Sequence, residues 1–473
     1  MTTVIHTYVT QTSAGAPRIW TEGNKLERGG FSAGDKYQRT IAPGEIRLTS
    51  APNGDYIVSK RTRNNITKPL IEVATHEVTK AFPVGSRVRI VIRNGFAKIT
   101  LHKTSAPTNE RLAELKQRLL QGLPLRVASF CHGGGVLDHA FHAGLKRANV
   151  ESKVSIVVER ESEYLESSLR NNPHLFDDDT LIFHSEIQWL NPLESKGTQA
   201  DFVVVGIPCE GASKSGRSKN QHWGSDGQGT HAESHSSSGH LFYYVLEMVR
   251  RLQPIGILIE NVTEYAHTAS MEVIRSVLSD FGYTLTETIV NGNAFGALEN
   301  RDRLCAVAVC EGIELDLSDL SPVTTKEATL SEVLEPISDD SPMWKPYDYL
   351  RIKEERDKAA GKGFKRQLLD GTEPFLGTIG KGYAKCRSTE PFIKFDGAGT
   401  LTRLLTLTEH CKVKKIPTTM VDGCSNTVGH EILGQSVIYS AFEAVGLWVG
   451  NAIKHAFESI CHENDDNFCK IAA

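Results

Sequence analysis

From Leu125 to Val309 the sequence alternates short apolar runs with amphipathic stretches, and this alternation restricts the fold more than any other feature of the chain. The runs at 125–130 (LRVASF), 154–159 (VSIVVE), 201–207, 255–259, 283–290 and 303–309 are rich in β-branched residues and read as strands. Those at 137–149, 161–172, 240–252 and 269–280 carry apolar residues at helical spacing and read as helices. Strands buried on both faces and separated by helices imply a mostly parallel sheet wound on both sides. In such sheets ligands gather beyond the carboxyl ends of the strands, so residues at those ends are the first candidates for chemistry.

Four strand ends carry such residues. The first runs into Phe130-Cys131-His132-Gly133-Gly134-Gly135, a glycine turn that lets backbone approach a ligand at a helix N-terminus. The second ends on Glu159, placed to accept both hydroxyls of a ribose. The third stops at Pro208 and leaves the thiol of Cys209 at its tip, and the fourth delivers Glu260-Asn261-Val262, a carboxylate expected on the neighbouring strand. Further on, Arg301 and Arg303 alternate in an extended segment, hence on one side of it, as forked donors for acceptor oxygens. Taken singly, each has an ordinary reading: a buried thiol, a common glycine turn, a helix-capping Glu or Asn. His231 and His235 have a metal-ligand spacing, but no Glu adjoins His231 and no third ligand is evident, so no metal is expected. The Gly-, Ser- and His-rich run from Ser213 to Gly239 reads as a polar loop able to close over a substrate.

In this order the motifs resemble those of the DNA cytosine-5 methyltransferase family, over residues 125–310 and 400–458. The family's FxGxGG, Pro-Cys, Glu-Asn-Val and QxRxR stand here as FCHGGG, PCEGAS, ENV and ENRDR, with GHLF (239–242) before the ENV strand. RLLTLTE (403–409) is similar to the family's RxLTxxE, and LGQSV (433–437) to its final GNSV-like motif. The resemblance implies an α/β, Rossmann-like, mostly parallel sheet of the class I methyltransferase type, with a small target-recognition domain. It implies S-adenosyl-L-methionine as donor, held by Phe130, His132, Gly133, Gly134, Gly135, Glu159, Glu186, Ile187, Pro208, Leu241, Gln435, Ser436 and Val437. It implies, too, that Cys209 adds to C6 of a cytosine flipped out of double-stranded DNA. Glu260 is then the acid at N3, Arg303 holds O2, and Arg301, Ser213 and Asn261 support the substrate loop.

Four positions depart from the family pattern: His132 for the first glycine of the loop, Glu186 for an Asp, Glu299 for a Gln and Gln435 for an Asn. His132 and Gln435 are expected beside the amino-acid end or sulfonium of the donor, which raises a second expectation, a modified S-adenosylmethionine and a transferred group other than methyl. The same fold acting on tRNA cytosine, and a catalytically lapsed DNA-binding regulator, are the remaining alternatives.

A chain of 473 residues exceeds one ordinary core. The expected arrangement is a β-hairpin-repeat domain at 1–104, a linker and helix at 105–124, a catalytic domain from 125–310 plus 403–473, and target recognition at 311–402. The first domain holds a repeat at an offset of 51, in which Phe31, Gly34, Gly44 and Leu48 recur as Phe82, Gly85, Gly95 and Ile99. Each copy reads as a hairpin, turned at Pro43-Gly44 and at Asn94-Gly95. Together they resemble the swapped-hairpin β barrels of bacterial transition-state regulators and antitoxins, many of which bind DNA. Residues 1–104 carry 16 Lys and Arg against 7 Asp and Glu, a net of +9, leaving −13 for the remainder of a chain whose total is −4. Arg61, Arg63, Arg87, Arg89 and Arg93 are accordingly candidates for DNA contact, with oligomer formation through this domain as the other reading. Nine cysteines without a CxxC pair read as reduced thiols. The absence of a membrane-length apolar run and of a signal-like start is expected of a cytoplasmic protein with no membrane partner.

Overall fold

The computed structural model describes residues 2–63, 66–102, 107–190, 199–208, 233, 238–395, 397 and 399–463. The chain forms two compact units, Met1–Glu110 and Arg111–Ala473. The division falls inside the expected linker, because the helix Pro107–Leu120 turns Leu112 and Leu115 into the core of the second unit.

In the first unit, strands β1 (Thr2–Tyr8), β2 (Thr10–Gln11), β3 (Pro17–Glu22), β4 (Lys36–Ala42), β5 (Glu45–Ser50), β6 (Tyr56–Ile57), β7 (Ser59–Arg63), β8 (Ile66–Ala74), β9 (Arg87–Arg93) and β10 (Phe96–Leu101) build two sheets. One has the order β1-β9-β10-β5-β4-β6, the other β2-β3-β8-β7. The two expected hairpins are β4–β5 and β9–β10. Asn94 and Gly95 both take positive φ, 49° and 72°, as a two-residue turn compatible with strand twist requires. The hairpins pair with one another through β5 and β10, with Arg47 directly opposite Lys98. Their separation equals the sequence offset, so the copies meet about a local twofold axis. Repeat-related Phe31 and Phe82, and Leu48 and Ile99, fill a shared core.

The second unit is organised on β11 (Leu125–Phe130), β12 (Ser152–Glu159), β13 (Leu181–His184), β14 (Phe202–Gly206), β15 (Gly256–Asn261), β16 (Tyr283–Asn291) and β17 (Asp302–Cys310), in the order β13-β12-β11-β14-β15-β17-β16. The first five run parallel, while β17 lies antiparallel to both β15 and β16. Chain order reverses between β11 and β14, the switch point at which open α/β sheets leave a crevice. The Val-rich β14 is buried along nearly its whole length, which accounts for its unbroken apolar run.

Residues 311–402 do not form an independent body. Their short strands β18 (Gln367–Leu369) and β19 (Pro391–Lys394) continue into β20 (Thr402–Arg403), across the expected boundary at 403. Leu330, Leu369, Ile379 and Tyr383 share one core with Leu298, Leu405 and Val413 of the flanking segments. The last helix, Tyr439–Glu463, packs along Val136–Arg147, the helix that follows the glycine turn. Where they cross, their backbones touch: a Cβ on Gly144 would lie 2.1 Å from the carbonyl oxygen of Glu443. Among the described residues no single helix is long and apolar enough to cross a membrane.

This crossing predicts that Gly144→Val forces the two helices apart and lowers stability by about 3 kcal/mol, the upper range for overpacked cores, whereas Gly361→Ala, with nothing within 4 Å of its added methyl, costs about 1 kcal/mol at most through its positive φ of 67°. Urea unfolding of the two variants against the parent checks the difference.

Candidate active site

Strand register brings the chemistry together. Gly206 at the end of β14 lies opposite Glu260 on β15, and Glu260 lies opposite Cys305 of the antiparallel β17. The carboxyl ends of β14 and β15 therefore meet the first residues of β17. Arg303 Nε stands 3.0 Å from Glu260 Oε1, and its Nη1 donates to the carbonyl of Asp302 at 2.7 Å. Burial acts against both charges. It lifts the Glu260 carboxyl above the ordinary carboxylate range in spite of the opposing pull of Arg303, Arg301 and Lys414. It also brings Arg303 down to about 10. Asn261 locks the corner: its amide donates to Ile207 O at 3.1 Å and its side-chain oxygen accepts Val262 N at 2.8 Å, tying the end of β14 to the Glu-Asn-Val turn.

Glu260, Asn261, Arg303 and Pro208 form one part of the wall of a cavity of roughly 350 Å³. Another part is built from the glycine turn, Glu159, Glu186 and the apolar side chains of Phe130, Ile187 and Leu241, while Gln435, Ser436 and Val437 cross it from the C-terminal segment. Every residue expected to hold the donor lines this space except Gly135. That glycine faces inward, where a Cβ would come within 2.3 Å of Ser168 Oγ. Glu159 Oε2 accepts Gly133 N at 2.6 Å, while Oε1 accepts the amides of Arg160 and Glu161 at 2.9 and 2.8 Å. Glu186 accepts from the side chains of Gln188 and Trp189.

Two expectations require correction. The His132 ring does not face the cavity: Nδ1 lies 2.8 Å from Ser129 Oγ and 3.0 Å from Asp138 Oδ2, and Nε2 lies 2.7 Å from Ser168 Oγ. Its side chain is fully buried with both ring nitrogens engaged inside the protein, and the ring acts as a strut beneath the turn. Arg301 is likewise not in the cavity wall. It is buried behind Arg303, donating to Ile379 O at 3.0 Å and Gly434 O at 3.2 Å. The alternation rule misleads here because β17 begins only at Asp302. Cys209, Ser213, His231 and His235 lie outside the described residues.

The residue that sequence reasoning missed is Lys414. Fully buried, its Nζ donates to Leu433 O at 2.6 Å and stands 3.1 Å from Glu299 Oε2. Glu299 also accepts Ile379 N at 2.9 Å and pairs with Arg301 at 3.3 Å. Burial lowers Lys414 to about 7. Burial raises Glu299, but Lys414, Arg301 and the Ile379 amide outweigh it and hold the carboxyl below its ordinary value. The one signal in the sequence was Glu299 itself, an acid where the family pattern has a neutral amide. Lys381 and Tyr164 of the cavity wall were missed as well; the Lys381 ammonium sits 5.1 Å from the Tyr164 ring centroid.

A parallel sheet with a cleft at its switch point, a glycine turn and an acidic end to the second strand together define a class I methyltransferase fold. Residues 126–446 match the family model for C-5 cytosine-specific DNA methylase, and the chain belongs to that family. It is 24% identical over 255 residues to the type II methyltransferase M.SsoII of Shigella sonnei, covering 52% of this chain and 62% of that protein. It is 24% identical over 265 residues to M.HpaII of Haemophilus parainfluenzae, covering 52% and 70%. The fold is shared with the S. pombe Dnmt2 methyltransferase, with a TM-score of 0.53 at 18% identity over 71% of this chain and 99% of that one.

Lys414→Met strands the Glu299 carboxylate in the core and is expected to destabilise the protein by about 3 kcal/mol, whereas Glu299→Gln combined with Lys414→Met recovers most of that loss. A double-mutant cycle by denaturant unfolding checks the coupling.

Proposed function

We infer that this chain transfers a methyl group from S-adenosylmethionine to C5 of a cytosine flipped out of duplex DNA. The observation that carries the reading is the Glu260–Arg303 pair, delivered by neighbouring strands into the same cavity that holds the glycine turn and Glu159. The cavity suits the donor. Glu159 is fixed by three backbone amides at the end of β12 where a ribose diol would bind, and Phe130, Ile187 and Leu241 supply apolar faces for an adenine with Glu186 at its edge. A Cβ on Gly133 would come within 3.8 Å of Gln435 Nε2, so a side chain there would encroach on the donor's amino-acid end. When bound, the donor supplies an electrophilic methyl carbon.

The remaining chemistry belongs to the protein. Cys209 follows Pro208, a residue of the cavity wall, and its thiolate adds to C6 of the ring. Glu260, whose carboxyl burial lifts above the ordinary carboxylate range, gives a proton to N3 as the ring gains electron density, and C5 becomes nucleophilic. Arg303 donates to O2 and is itself oriented by Glu260. Asn261 keeps the strand end ahead of Cys209 in register with Glu260, and Arg301 holds the segment that carries Arg303. After transfer the C5 proton leaves to a base, and Cys209 is expelled. A ring turned out of the helix is required throughout, at a cost of a few kcal/mol. With both ring nitrogens of His132 engaged inside the protein, one of the two residues that favoured a donor other than S-adenosylmethionine loses its force, which supports plain methyl as the group transferred.

Duplex DNA containing 5-fluorocytosine is expected to trap a covalent adduct that survives denaturing electrophoresis, and Cys209→Ser to form none; absence of an adduct in the parent protein would remove the reading. Mass spectrometry of normal duplex is expected to find 5-methylcytosine, with tRNA a poor competitor. Because the raised Glu260 must be protonated, kcat/KM is expected to fall on the alkaline side of its pKa, and Glu260→Gln to lose that limb together with roughly 10²-fold or more of the rate.

A further inference from the structure

We propose that the outer face of the six-stranded sheet in the N-terminal unit grips the sugar–phosphate backbone of duplex DNA through Arg87, Arg89 and Arg93. The reading of the chain as a DNA methyltransferase underlies the choice of partner, but the surface is argued from its own geometry.

Along β9 the residues alternate: Val88, Ile90 and Ile92 are buried at 1% exposure or less, so the arginines between them share the opposite, solvent-facing side. Neighbouring strands extend that side. Tyr8, His6 and Thr2 of β1 stand opposite Arg87, Arg89 and Arg93, and Phe96 of β10 stands opposite Arg93 from the other flank. Arg87 is aimed by Tyr8, donating to its hydroxyl at 2.7 and 3.1 Å. Arg89 and Arg93 are exposed, and neither has an ion pair or side-chain hydrogen bond among the described residues. Four residues apart on a strand, they present two planar forks about 13 Å from one another.

Several of the remaining basic residues are neutralised, while Lys25, Arg28, Lys36, Lys60 and Lys68, which have no ion pair among the described residues, lie on other elements than β9. On the four-stranded sheet Arg61 pairs with Glu22 at 2.6 Å and Arg18 with Glu72 at 3.7 Å, both beside Trp20. On β5 and β10, Arg47 and Lys98 share Glu45. Arg89 and Arg93 thus set two uncompensated charges on one face of β9, in a unit whose first 104 residues carry a net of +9. Two exposed arginines on a pleated face, neither with an ion pair among the described residues, suit a polyanion. Forked, exposed donors suit phosphate oxygens, and contacts of that kind add affinity without adding sequence preference.

The test uses the full chain. Binding to a short duplex is measured by fluorescence anisotropy across 50–200 mM salt for the parent, for Arg89→Gln/Arg93→Gln, and for the control Arg18→Gln/Arg61→Gln. Loss of two phosphate contacts is expected to shrink the salt-induced fall in affinity by about twelvefold over that range in the first variant. The control should leave the fall unchanged, and Arg89→Lys/Arg93→Lys should largely restore it. An unchanged slope in Arg89→Gln/Arg93→Gln, or an equal change in the control, overturns the proposal. So does a drop in oligomeric mass on sedimentation of Arg89→Gln/Arg93→Gln, which would make the face a contact between copies of the chain. Trapping on 5-fluorocytosine duplex, run in parallel at low salt, reports on the catalytic reading separately: an adduct with an unchanged slope sinks only the surface, and a changed slope without an adduct sinks only the chemistry.

Discussion

Three cations and two carboxylates are buried together where the sheet meets the C-terminal segment. Arg303 pairs with Glu260, while Arg301 and Lys414 share Glu299. An arginine or lysine taken out of water is tolerated only if paired and hydrogen-bonded, and each of these is held by a carboxylate and at least one backbone carbonyl. The arrangement does more than neutralise. Glu299 ties Ile379 to Lys414, and Lys414 ties both to Leu433, just before the Gln435, Ser436 and Val437 that cross the cavity. Arg301, the segment around Ile379 and the segment that crosses the cavity therefore share one electrostatic anchor, and none of the three is free to shift without uncovering a buried charge.

The donor side follows another rule: its polar groups are satisfied before any ligand arrives. Glu159 already accepts three backbone amides, including that of Gly133, so the carboxylate and the glycine turn fix one another. A carboxylate has about four acceptor positions, and the capacity left over faces the cavity. Beneath the turn, His132 replaces the small residue of the family pattern and fills its own space with Ser129, Asp138 and Ser168. The substitution exchanges a flexible position for a hydrogen-bonded strut without projecting a side chain into the donor. Preorganisation of this kind lowers the reorganisation that binding and transfer require.

Much of this was legible in the sequence because it lies at strand ends, and strand ends are marked by period and by composition. LRVASF, VSIVVE and GILIE announce where Phe130, Glu159 and Glu260 must fall, and the register of a parallel sheet then forces them to one edge. What could not be read was direction and partnership across long sequence separations. Lys414 sits in CKVKKIP, a stretch that looks like solvated surface, and its burial is decided by Glu299, 115 residues earlier in the chain. Arg301 and Arg303 look equivalent until the strand is seen to start between them. In the N-terminal unit the Asn-Gly turn disclosed one hairpin, but β3 and β8 each contain a proline, which argues against a strand in any local reading, and they are held by pairing with each other and with β2 and β7.

That duplicated unit also bears on how the chain divides its charge. A body with −13 beyond residue 104 repels a polyanion at long range, although Arg303 sets one cation in its cavity wall. Repulsion of this sort screens within about 8 Å at physiological salt, so it governs encounter rather than the final complex. The first unit, with +9 over residues 1–104, has the opposite sign, and its field is screened over the same distance. The cavity wall is shaped by a local requirement instead, the buried pairing of Glu260 with Arg303.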